Sequence, residues 1–262
     1  MLNTGGDFTN NIGGTGRVEK SGDDALTLSG SNTYTGGTLI SSGTLVASNV
    51  EALGTGDGGT LVANDVNALG TGDITDNATL ALNAVGDFDN AISGSGKVEK
   101  SGDDALTLSG SNTYTGGTLI SSGTLVASNV EALGTGDVTD NATLELNTSG
   151  TFDNAISGSG QVVKSGDKML TLSGANSYSG GTLISDGTLV ASNVEALGTG
   201  DVTDNATLEL NTSGTFDNAI SGSGQVVKSY QQHQRQRASG EIRRRRARAL
   251  RRQFLYRWHP YQ

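Results

Sequence analysis

Repetition constrains this chain more than any other feature it has. Val18–Asp57 recurs identically as Val98–Asp137, a shift of 80, and Gly123–Ser165 recurs identically as Gly187–Ser229, a shift of 64. The difference of 16 corresponds to an inserted half-copy, Gly58–Asp73, which echoes Gly43–Asp57. Leu2–Arg17 aligns with Leu82–Lys97, so the chain opens inside a unit and reads as a fragment whose unit extends upstream. Its 40 Gly, 34% hydrophobic and 5% aromatic residues leave little to fill a broad core. Charged residues at only 17%, together with recurring apolar pairs, argue equally against disorder. A lean unit of this kind buries its apolar face only when a neighbouring unit stacks on it.

Within a unit the pattern is short and strand-like. Ala105–Leu108, Gly117–Ile120, Gly123–Ala127 and Ala142–Leu146 alternate apolar residues with Thr, Ser or Glu. Ser109-Gly110, Gly116-Gly117 and Gly136-Asp137 punctuate them as turns. No window holds a helical apolar stripe, and the β-branched content disfavours helix. The expected architecture is an all-β parallel solenoid over residues 1–229. Strands would repeat about every 4.8 Å along a continuous column of Leu, Val and Ile. A unit then divides into about three coils of roughly 20 residues, giving about eleven coils and a rod on the order of 50 Å. Asn, Thr and Ser from successive copies are expected to form ladders. A sandwich or propeller is the alternative, but near-identical copies with few aromatics suit stacking better than closure.

The phrase from Lys100 through Leu106, Leu108, Gly110, Asn112, Tyr114, Gly116, Gly117, Thr118 and Ile120 to Gly123 and Leu125 closely resembles the passenger-associated transport repeat of bacterial autotransporters. Copies begin at Lys20, Lys100 and Lys164; Asp24 and Asp104 stand where the family has its second Gly, as does Lys168 in the third copy. The resemblance implies a right-handed parallel β-helix passenger. It would be carried across the outer membrane by a C-terminal β-barrel translocator and displayed at the cell surface as a structural stalk. Absence of Cys, which rules out disulfides and thiolate sites, fits threading through the periplasm. An acidic, Gly- and Ser-rich chain fits staying soluble while unfolded.

The formal net charge of −10 hides a split: residues 1–229 hold seven basic and 26 acidic side chains, whereas residues 230–262 hold ten Arg and one acid, Glu241. Ser229 matches Ser165, but Tyr230 replaces Gly166 and similarity stops there. Gln253–Tyr261 can be encoded as CAA TTC CTA TAC CGG TGG CAC CCT TAT. One base forward this reads Asn-Ser-Tyr-Thr-Gly-Gly-Thr-Leu, the phrase of Asn176–Leu183 changed at one position. The tail is therefore expected to be a frameshifted, disordered or non-native segment. Its rival is a nucleic-acid arm, with Arg243–Arg246, Arg248, Arg251 and Arg252 on phosphates and Tyr256 and Trp258 stacking on bases.

Catalysis finds little support, because residues 1–229 contain neither His nor Cys. Asp23-Asp24 and Asp103-Asp104 are paired carboxylates of the kind polysaccharide-acting β-helix enzymes use, but they sit in Gly-bounded turns. Gly134–Asp137 and Gly198–Asp201 are faintly similar to calcium β-roll turns without the nine-residue period. Gly94-Ser95-Gly96 precedes no helix and makes no phosphate cradle. The Asn77, Asn141 and Asn205 sequons read as ordinary turns. No cofactor or metal is expected. Tyr34, Tyr114 and Tyr178 recur at matched positions as a candidate exposed binding row, or else pack over a coil edge. Met1–Asp7 resembles no secretory signal, so this fragment alone is expected to stay cytoplasmic. Its parent belongs at the outer membrane, with host or bacterial surface molecules as partners if the repeats themselves adhere. Open rod ends predict end-to-end association.

Overall fold

The computed structural model describes residues 1–40, 45–47, 60–69, 72–77 and 79–229, so the Arg-rich tail and parts of the inserted half-copy lie outside it. Every element among the described residues is a β-strand, and every pairing is parallel. The chain winds as a parallel β-solenoid of about eleven coils.

One stretch shows how a coil is built. Val138–Asp140, Thr143–Leu146 and Gly150–Phe152 are three consecutive strands, and one coil later Ile156–Ser157, Gln161–Lys164 and Met169–Leu172 stack on them in the same order. These coils thus feed three stacks of strands. The first runs from Val18–Lys20 to Ile156–Ser157 and the second from Gly86–Phe88 to Ile220–Ser221, eight strands each. The third holds five, from Gly150–Phe152 to Gln225–Lys228.

The period-two pattern decides which side chains enter. Leu106 and Leu108 are fully buried while Thr107 between them is half-buried, and Leu144 and Leu146 flank Glu145 in the same way. In register, Leu106, Leu125 and Leu144 lie on consecutive coils, as do Leu108, Ala127 and Leu146. A single core cluster continues from Leu26 to Leu208. Burial of each aliphatic side chain stabilises the stack by about 1.5–3 kcal/mol, spread along the axis instead of gathered at a centre.

The copies, however, do not lie on top of one another as the sequence led us to expect. From Val98 the first stack continues one coil at a time to Thr118, Val138 and Ile156. Three coils therefore end at Ile156, short of Val162, where the motif of Val98 returns. Val162 falls instead on the second stack, beside Leu144 and Thr182. The same displacement carries Leu106 from the second stack to Leu170 on the third. A unit advances three and a third coils. Ladders consequently join unlike segments of adjacent coils, not the same residue of successive copies. The longer step, from the first copy to the second, differs: Val18, Thr38, Leu61, Leu80 and Val98 occupy consecutive coils of one stack, a whole four coils.

Candidate functional site: the polar residues of the repeat

Parity places several polar residues of the repeat inside the rod. Val98 points in and Glu99 out, so Lys100 must point in; it is 1% exposed, and Lys20 and Lys164 are fully buried. A buried ammonium is tolerated only if its hydrogens find acceptors. The Lys100 Nζ donates to the carbonyls of Ser101 at 2.9 Å and Gly102 at 2.7 Å, and to Ser122 of the next coil at 3.4 Å. Lys164 repeats the cage with Ser165, Gly166 and Asp186 at 2.7, 2.7 and 3.3 Å. Burial lowers the pKa of both ammonium groups, opposed by Asp104 and Asp103 around Lys100 and by Asp186 and Asp167 around Lys164. Each lysine ties its own turn to the one above.

Asn112 spans three coils. Its Oδ1 accepts the Ile92 N–H from the coil below at 2.7 Å, and its Nδ2 donates to the Ala132 carbonyl above at 2.6 Å. Asn176 does the same with Ile156 and Ala196 at 2.8 and 2.7 Å. Both asparagines are buried, so each replaces a strand-ladder bond at a corner where strand pairing lapses.

Tyr34, Tyr114 and Tyr178 are 1%, 0% and 0% exposed, which removes the exposed binding row. The hydroxyl of Tyr114 meets Thr118 Oγ1 at 2.6 Å, and Thr118 in turn donates to the Leu133 carbonyl at 3.2 Å. Tyr178, Thr182 and Leu197 form the same chain, and Tyr34 bonds Thr38. Burial raises the pKa of all three phenols, with the threonine bond acting against it. For Tyr114 and Tyr178 the room to turn inward comes from one coil away, at Gly134 and Gly198. Gly134 has φ +63°, and a Cβ there would stand 2.5 Å from the Tyr114 carbonyl and 2.9 Å from its ring. A bare glycine makes room for the ring. Nor do the tyrosines form a file: Thr113, beside Tyr114, bonds Ile92, whereas Ser177, beside Tyr178, bonds Ile156 of the first stack.

The other sequence candidates stay apart from one another. Asp23, Asp24, Asp103 and Asp104 are exposed in bends. A shallow surface groove of about 460 Å³ runs along Lys97, Thr115, Gly116, Gly117, Asp137 and Thr139, and brings in a single carboxylate rather than a facing pair. Among the described residues no group of three or more His, Cys, Asp or Glu is arranged to hold a metal ion. Sequence reasoning missed the buried lysines, Asn112 and Asp140. The parity of Val98-x-Lys100 and Val138-x-Asp140 was the available signal for two of them.

A parallel solenoid whose motif residues join coil to coil defines the class of molecule. The residues that do the joining are those of a known family. Residues 18–47, 98–127 and 162–191 match the passenger-associated-transport-repeat model, so the chain carries three copies of that repeat. A curated relative, the adhesin BmaC autotransporter of Brucella suis biovar 1 (strain 1330), is 34% identical over 169 residues. That match covers 53% of this chain and 5% of the relative, so the chain corresponds to a small part of that protein's length. No solved structure matches the chain significantly.

Proposed function

We propose that this chain is a length of stalk from an outer-membrane autotransporter passenger, whose repeats serve folding during export and display at the cell surface. One observation carries the reading: Lys100, Asn112 and the Tyr114–Thr118 pair of the repeat are buried and spend their polar atoms on joining one coil to the next. A stack that adds one coil at a time, each fastened to the last, suits folding as the chain emerges from a translocator. A C-terminal β-barrel would be its translocating partner. The test is to place residues 1–229 between a secretion signal and a barrel translocator and probe intact cells with protease. Surface-exposed, protease-resistant repeats support the stalk; repeats retained inside the cell overturn it.

The second reading is an adhesin, favoured by the name of the relative. Saturable binding of residues 1–229 to cells, matrix or each other would establish it. Turnover of acidic glycans would instead revive the enzyme reading. Self-association belongs to this group of proposals: Ile220 and Val226 of the last described coil are 38% and 48% exposed, where Ile156 and Val162 are fully buried. A second copy stacked there would cover them, and light scattering reads the outcome. For residues 230–262 we infer a displaced reading frame rather than a nucleic-acid arm. DNA sequence across codons 225–262 without repeat coding in the adjacent frame would overturn that.

A further inference from the structure

Buried aspartates remain when the lysines, asparagines and tyrosines have found their partners. Along the inward file of the first stack Lys100, Ile120 and Asp140 occupy consecutive coils, and Lys164, Ile184 and Asp204 do so in the second. Asp140 is 0% and Asp204 2% exposed. In each, Oδ1 accepts the backbone N–H two residues on, Ala142 at 3.0 Å and Ala206 at 3.1 Å. The second oxygen, Oδ2, meets no protein donor. The coil above closes directly over it, with Gly160 over Asp140 and Gly224 over Asp204, and a Cβ on either glycine would collide with the carboxylate.

Two ionisable groups bear on Asp140. Tyr178 lies above, with its hydroxyl engaged by Thr182. Lys100 lies two coils below in the same file, its ammonium turned onto the carbonyls of Ser101, Gly102 and Ser122. Neither supplies a hydrogen bond or a neutralising contact. A neutral carboxyl suits this pocket, because Oδ1 keeps its acceptor role while Oδ2 carries the proton. An ionised one sets an unpaired charge against a dry wall.

We propose that Asp140 is an acid-operated lock on the rod: protonated, it lets the coils close tightly over it, and ionised, it loosens them. Desolvation pushes its carboxyl up to about 6 from the usual 3.8, against the opposing backbone N–H groups of Ala142 and Leu144. A carboxyl raised in the folded state contributes stability that is complete below its unfolded value and is lost as pH climbs through about 6. The rod is therefore firmer in mildly acidic surroundings than at neutral pH, whether it serves as stalk or adhesin.

The experiment melts the full chain at about pH 5 and about pH 7.5 as wild type, Asp140→Asn and Asp137→Asn, the last an exposed control on the adjoining turn. Between these pH values the wild type and the control should each lose about 4 °C more than Asp140→Asn. An Asp140→Asn protein with the wild-type pH dependence overturns the proposal. In the wild type, carbon-13 NMR of labelled aspartates should show the Asp140 carboxyl titrating near 6. Titration of every aspartate in the ordinary range overturns the proposal even if the variant fails to fold.

Discussion

The step from Val18 to Val98 and the step from Val98 to Val162 join the same motif to itself and finish in different places. The first, which contains the inserted half-copy, returns to the stack it left after four coils. The second, which lacks it, ends a third of a turn further round. Yet the local structure at both ends is the same. Lys100 and Lys164 keep equivalent carbonyl cages, and Asn112 and Asn176 keep equivalent three-coil spans, on different stacks. A coil therefore answers only to the coils directly below and above it, as expected of a one-dimensional assembly. The inserted half-copy acts as a phase adjustment: it rounds three and a third coils up to four, and Lys20 before it keeps the same carbonyls of its own turn, Ser21 and Gly22, as Lys100 after it.

If only neighbours matter, equivalent substitutions on different stacks must cost the same, and each such pair is a chance to break the comparison. The largest effect is expected at Gly116 and Gly180, where a Cβ would run into the backbone of Gly96 and Gly160 one coil below. Gly116→Val and Gly180→Val should each destabilise by about 4 kcal/mol or more in denaturant unfolding. Next come Asn112→Leu and Asn176→Leu, which strand a donor below and an acceptor above, at about 3 kcal/mol each. Lys100→Met and Lys164→Met leave carbonyls without a donor but also remove a buried charge, and should cost about 2 kcal/mol each. Asp103→Asn and Asp167→Asn, both exposed in turns, should stay within about 0.5 kcal/mol. Members of any pair differing by more than about 1 kcal/mol would show that stack identity matters after all.

The strands and the parallel stacking were legible because alternation with Leu at every second position has one reading once segments repeat. The burial of Lys100 was written in the same alternation, although the charge draws the eye to the surface. The tyrosines were harder. Tyr114 turns inward because of Gly134, one coil later, and that partnership is visible only when the coil length is known. Coil length is what the repeat conceals. Thr38 to Leu61, Leu61 to Leu80, Leu80 to Val98 and Val98 to Thr118 are each one coil, and no two of them take the same length of chain. The turns absorb the difference. A repeat period states the total of such steps and not their division, so the rotation of one copy against the next could not be read from it.

The rotation itself can be tested in a chain that has no cysteine of its own. Glu145 and Val163 are neighbours in register on the outer row of the second stack. Cysteines at these two positions should sit about 4.8 Å apart and close a disulfide within one monomer under mild oxidation. If a unit were instead three equal whole coils, Val163 would lie over Ala142. Ready closure of the Glu145→Cys, Val163→Cys pair, with none for Ala142→Cys, Val163→Cys, is the predicted result, and the reverse pattern would contradict it.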